Sequence, residues 1–230
     1  MTVLTGALRH AQKGFTLLEM LLVTVILGLV FSLTYMAFST VVTAWDRGME
    51  LTEHLHHADY VLDQLVMGLR SAYYPDTRGE AAGYGFEIED GGDGEYSSDT
   101  ISWVKTGSAL VGANSPFAES PHRVQFFMTE NEEGEPAAAV RQWRLYGQPE
   151  DFDPGELDPV FLSTRITGFN CRVAYRIVAD EVEWLDEWQY TNKLPTAVEL
   201  TLYMAPVQED GQPVEIKRAL GVPVAPLSWN

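Results

Sequence analysis

Between Met20 and Trp45 the chain places no charged residue and no proline. An α-helix crosses the hydrocarbon of a bilayer with roughly twenty residues, so this stretch is long enough to span one. The apolar run does not stop at a breaker. From Trp45 to Tyr73 the apolar positions are Met49, Leu51, Leu55, Ala58, Leu62, Leu65, Val66 and Leu69, mostly three or four apart. That spacing predicts an amphipathic helix. Its other face carries Glu50, Glu53, His54, His57, Asp63 and Gln64. The first proline is Pro75. Gly28 and Gly48 are soft positions, each costing about 1 kcal/mol relative to alanine, and they permit bending without ending the helix. One helix is therefore expected from Phe15 to about Ala72, apolar all round at first and one-sided later.

After Pro75 the helical period disappears. Short runs rich in Val, Ile, Phe, Tyr and Trp recur between turn residues, at 83–88, 100–105, 123–128, 140–146, 169–177 and 198–204. Several alternate apolar and polar positions, as in Val198-Glu199-Leu200-Thr201-Leu202, which is the period of a half-buried strand. One long helix followed by such runs predicts an α+β chain with mainly antiparallel pairing. The divisions expected are 1–14, 15–38, 39–73 and 74–230: a leader, a membrane half and an amphipathic half of one helix, and a β-rich globular domain.

Charge sharpens the topology. The 230 residues hold 15 basic and 33 acidic side chains, net −18. Residues 1–14 contain Arg9 and Lys13 and no acid, so every acidic residue lies beyond them. A short positive leader before a long acidic body predicts a leader kept on the cytoplasmic side and a body that is exported. The acidity argues against a nucleic-acid partner, which needs a basic face. It also argues against the body lying on an anionic lipid surface.

The junction of leader and helix carries the most specific pattern. A cleaved secretory signal would have a shorter apolar run followed by a small-residue cleavage site. A plain signal anchor would account for the hydrophobicity but not for Glu19. A carboxylate in hydrocarbon costs about 3 kcal/mol on insertion scales, so Glu19 suggests a partner. The competing reading is a side chain that snorkels to the headgroups. Lys13-Gly14-Phe15-Thr16-Leu17-Leu18-Glu19 resembles the signal of type IV prepilins and of type II secretion pseudopilins. The resemblance implies cleavage by a prepilin peptidase between Gly14 and Phe15 and N-methylation of Phe15. It further implies that the Glu19 carboxylate pairs with the N-terminal amine of a neighbouring subunit. The physical logic agrees. Glycine lets the backbone approach a protease closely, an α-amino group is a cation at neutral pH, and Glu19 lies about one turn from Phe15.

Within that superfamily the later sequence is similar to the minor pseudopilins of the J type. The matching features are a strand at 166–175, Trp184 and Trp188, the segment 194–200 opening a late strand, and 217–220 pairing back on it. The resemblance implies a pilin-like fold and an inner-membrane protein with a single span and a periplasmic C-terminal domain. It also implies a place at the tip of a pseudopilus, where the chain helps prime assembly with I-type, K-type and major G-type pseudopilins. The alternative is a minor pilin of a type IV pilus. Residues 87–99 and 114–136 depart from the pattern and read as loop insertions.

Other constellations are weaker. His54 and His57 could offer two nitrogens, but no HExxH and no third ligand accompany them, and a solvated helix face explains them. The run Asp90-Gly91-Gly92-Asp93-Gly94-Glu95 with Asp99 could offer oxygens to calcium, but its spacing does not fit an EF-hand and a solvated hairpin loop explains it. Cys171, the single cysteine, reads as a small core residue. Trp184 and Trp188 read as core or sheet-edge packing, or as a binding platform. There is no nucleophile elbow, P-loop or zinc motif. Neither an enzyme nor a cofactor nor a small-molecule substrate is expected.

Overall fold

The computed structural model describes residues 15–75, 83–175, 177–178, 181–206 and 213–229. The chain divides into two compact units, 1–49 and 50–230. Helix α1, Leu17–Arg70, contributes to both.

In the first unit every described residue is exposed. The helix there is long and apolar enough to cross a membrane. Its threonines leave little unsatisfied. The hydroxyls of Thr24, Thr34, Thr40 and Thr43 donate to the carbonyls of Leu21, Val30, Met36 and Ser39 at 2.8–3.0 Å. A hydroxyl bonded back to its own helix brings no orphan donor into lipid.

The second unit holds the core. The later part of α1 buries Ala58, Val61, Leu62, Leu65, Val66 and Leu69, while Leu55 packs at the edge. These are the positions that the periodicity singles out, together with Val61. Met49 and Leu51 remain exposed, so docking begins a turn later than the apolar spacing suggests. The helix stops at Arg70, and residues 71–73 turn into a short extended piece. Tyr73 donates its N–H to the Val104 carbonyl, and Thr106 donates to Ser71.

Five antiparallel strands form one sheet in sequence order: β1 Glu87–Glu89, β2 Thr100–Lys105, β3 His122–Glu130, β4 Pro136–Arg144 and β5 Val160–Ser163. A second sheet has three antiparallel strands, with β9 Ala197–Met204 between β6 Ile166–Ala174 and β10 Val214–Gly221. A small hairpin pairs β7 Ile177–Val178 with β8 Glu181–Val182, and α2 Ala225–Ser228 follows β10. This is an α+β arrangement consistent with a pilin-like fold. Both sheets and the later part of α1 share one apolar cluster, including Trp103, Phe126, Phe169, Leu200 and Leu202. Phe126 and Phe169 meet edge to face across it, 4.7 Å between centroids.

The two segments read as loop insertions overlap the strand runs expected at 83–88 and 123–128, and both hold strands. Residues 87–99 include β1, which pairs with β2 at Glu87–Ser102. Residues 114–136 include β3, which lies centrally between β2 and β4. The run at 140–146 begins earlier, because Ala137, Ala138 and Ala139 are fully buried. Alanine has little strand preference of its own, and pairing with neighbours decides for it. Strand β5 has no expectation behind it, since it follows the proline-rich stretch ending at Pro159. The expected pairing of 217–220 holds, with Lys217 opposite Thr201 and Leu220 opposite Val198.

Gly68 lies close against Trp103 and Leu110. A Cβ there would stand 3.0 Å from side-chain atoms of both Trp103 and Leu110. Trp103 Nε1 donates to the Gly68 carbonyl at 3.1 Å, and the Leu110 N–H donates to Gln64 Oε1 at 2.9 Å. Leu110 holds a left-handed backbone, φ 67°, which is unfavourable for a leucine. Burial against the helix and this hydrogen bond hold it there.

Candidate functional site: the start of the apolar helix

Thr16 caps α1. Its hydroxyl oxygen accepts from the Glu19 N–H at 3.2 Å, and its carbonyl accepts from Met20 N–H at 3.2 Å. Thr16-Leu17-Leu18-Glu19 thus has the spacing of a capping box, in which a threonine and a glutamate three residues on satisfy helix-end donors. The sequence shows this pattern, yet reading Glu19 for its charge alone overlooks it. Glu19 also lies in the first turn, where the helix dipole favours a negative group. Its carboxylate has no ion-pair partner among the described residues, and both it and Phe15 are exposed. Gly14 lies outside the described residues, as does the leader 1–14. The structure therefore shows a capped helix start with Phe15 two residues before the first helical position and a carboxylate one turn in.

Residues 9–35 match the model of the prokaryotic N-terminal methylation motif. The chain carries a prepilin-like N-terminus. No curated protein and no solved structure matches the chain. The prepilin-like motif, joined to a membrane-capable helix, supports a pilin-like reading of the chain. It implies processing by prepilin peptidase and assembly with other pilins, and the apolar helix fits a single-pass inner-membrane anchor.

The body of this prepilin-like chain holds several charged groups under cover. Asp99 is buried and bridges the 90–99 loop to β6. Its Oδ1 accepts from the Gly91 N–H at 2.9 Å and its Oδ2 from the Cys171 N–H at 2.7 Å. Burial pushes the Asp99 carboxyl up, while those two backbone donors pull it back. The loop therefore turns its last carboxylate inward as a structural acceptor. Among the described residues no three His, Cys, Asp or Glu side chains are grouped to hold a metal. The side chain of His54 lies outside the described residues, and His57 is exposed. Cys171 is fully buried, and burial raises its thiol well above the ordinary range. It is thus a small core side chain with negligible thiolate.

Lys105 is fully buried at the end of β2, where its Nζ donates to the Gly107 carbonyl at 2.7 Å. Burial lowers its pKa to about 8. His122 sits opposite Lys105 in the β2–β3 register, with Nδ1 2.9 Å from the Ser120 carbonyl. Its pKa is lowered, first by burial. Arg123 is also buried; it pairs with Glu87 at 2.6 Å and bonds Ser102 Oγ and the Gly83 carbonyl. These groups tie β1, β2 and β3 together at one end of the sheet. Trp188 is half-buried and bonds the Lys193 carbonyl through Nε1 at 3.2 Å. Trp184 is half-buried on the wall of an open cleft.

Proposed function

We propose that the chain is the precursor of a minor pseudopilin of a type II secretion system, of the J type. It is a filament assembly subunit with no catalytic role. On this reading prepilin peptidase cuts between Gly14 and Phe15, and Phe15 becomes N-methylated. Residues 15–38 lie in the inner membrane, 39–73 continue as a stalk, and 74–230 lie in the periplasm. The subunit then helps form the pseudopilus tip with I-type, K-type and G-type pseudopilins, priming the filament for protein export.

One observation carries the reading. The matched methylation motif contains a carboxylate, Glu19, in the first turn of an apolar helix, without an ion-pair partner among the described residues. A carboxylate moved into apolar surroundings needs a cation, and removing one partner of such a pair costs about 3–5 kcal/mol. The processed N-terminal amine of a neighbouring subunit is the cation that the motif itself supplies.

The cap by Thr16 gives the test its resolution. Gln replaces Glu in a capping box without loss of the reciprocal bond, but it carries no charge. Glu19→Gln and Glu19→Val should both insert in the membrane and both fail to enter the tip complex. If Glu19→Gln assembles normally, Glu19 serves the cap and not a pair. Mass spectrometry of the mature wild-type chain should begin at N-methyl-Phe15, and Gly14→Ala should accumulate full-length precursor. A mature chain that begins at Met1 overturns the whole reading. Co-purification with I-type and K-type pseudopilins favours secretion, whereas co-purification with pilus subunits favours a minor type IV pilin.

A further inference from the structure

Trp184, Leu185, Trp188, Tyr190 and Tyr175 line an open cleft of about 470 Å³, together with Asp90, Asp186 and Glu187. Both of its walls are fixed by backbone bonds from behind. Leu185 exchanges two hydrogen bonds with Val173, each 2.8 Å. On the other side Trp188 Nε1 is bonded to the Lys193 carbonyl, which also accepts the Phe86 N–H at 2.9 Å. The loop at 191–192 presses on Gly85 so closely that a Cβ there would overlap the Thr191 backbone. The aromatic faces are therefore held in place before anything binds, which lowers the ordering that binding requires.

The chemistry of the lining is one-sided. Three carboxylates face four aromatic rings, and none of the described lining residues is basic. One guanidinium stands nearby: Arg172 pairs with Asp186 at 3.2 Å and with Glu199 at 3.6 Å. Asp90 Oδ1 accepts from the Gly92 N–H at 2.8 Å. Among the described residues, Arg172 offsets one of the three lining carboxylates.

A second observation comes from the back of the same aromatic group. Trp229 packs edge to face on Trp188 and Tyr190, at 6.1 and 5.2 Å, and lies 6.3 Å from Tyr175. Lys193 Nζ sits 4.2 Å over the Trp229 ring. The cluster already holds an ammonium on one aromatic face by attraction to the ring quadrupole. The cleft offers further faces of the same cluster with carboxylates beside them.

We propose that this cleft binds a lysine or arginine side chain presented by a protein partner. The aromatic rings take the flat guanidinium or the aliphatic stem and ammonium, and Asp90 and Glu187 neutralise the charge. This inference does not depend on the filament reading, since it concerns a different surface and a different ligand.

The test uses the full-length chain in detergent micelles with 5-fluorotryptophan, read by fluorine NMR and titrated with N-acetyl-arginine methylamide and N-acetyl-lysine methylamide. Trp184→Phe and Trp188→Phe assign the resonances. Saturable shifts should be confined to Trp184 and Trp188, with Trp143 unmoved. The neutral isostere N-acetyl-citrulline methylamide should bind roughly tenfold more weakly. Asp90→Asn combined with Glu187→Gln should weaken the cationic probes by a similar factor, while an unchanged resonance from buried Trp103 reports that the body is folded. Equal shifts with the citrulline probe would overturn the proposal, because the charge would not be recognised. So would shifts spread over all six tryptophans, which mark general attraction to an acidic chain, and so would silence with both cationic probes. Shifts with a chitin tetrasaccharide but not with arginine or lysine would replace it with a sugar platform.

Discussion

The two parts of α1 share a backbone and little else. From Met20 to Trp45 the helix carries no charged side chain on any side, and none of its residues is buried. From residue 50 to 70 apolar side chains recur at helical spacing, and six of them are buried in the core. The lesson concerns what each pattern demands. Apolarity without a period asks for a surrounding medium that the chain does not contain. Apolarity with a period asks for a surface that the chain does contain, its own sheets.

The largest effect expected separates the two directly. Leu65→Ala should destabilise the body by about 2–5 kcal/mol, through lost contacts and the cavity left behind. Leu27→Ala should leave the unfolding of the body unchanged in detergent. Equal losses would erase the distinction. Its mirror image is Val30→Arg, which should disfavour membrane insertion by about 3 kcal/mol without altering the melting of the body.

A third measurement probes the sheet end where α1 gives way to β2. The folded-state pKa of Lys105 is lowered to about 8, below the ordinary value, so the unfolded chain binds more protons between pH 8 and 10.5. Stability should therefore rise with pH through that window and be lowest below it. Lys105→Met should remove this rise and gain up to about 3 kcal/mol at pH 7. A wild-type and variant pair with parallel pH profiles would contradict the burial of the ammonium.

Smaller effects sit at the helix start and on its exposed flank. Thr16→Ala should cost about 1 kcal/mol of local helix stability, seen as faster hydrogen exchange at the Glu19 amide. Arg218 reaches Asp59 and Asp63 on α1 at 3.3 and 2.5 Å, and all three side chains are well exposed. Arg218→Gln should change stability by less than about 1 kcal/mol, as solvent-screened pairs do. A larger loss would mean that charge rather than apolar burial seats the helix.

The helix was legible because it needs only local information: a long unbroken run, then a period. The strand that alternates in sequence, β9, was legible for the same reason. Strand β3 was legible as the run at 123–128, but its central place in the sheet was not, and β5 hid behind prolines, because both are fixed by pairing across the sheet. The Thr16 cap was readable in Thr16-Leu17-Leu18-Glu19 but stood behind the charge of Glu19. The inward turn of Asp99 was not readable. Nothing in an acidic, glycine-rich run says which carboxylate will meet one backbone donor in its own loop and another 72 residues away.

Gly68 makes the seat of α1 sensitive to phase. Each residue turns a helix by about 100°, and a Cβ at Gly68 would press on Trp103 and Leu110 at 3.0 Å. One residue inserted between Asp63 and Gly68 would swing Ala58, Val61 and Leu62 off the sheets or drive a side chain into that notch. The body thus accepts this part of its helix like a key with a single cut, and a missing methyl group marks the notch.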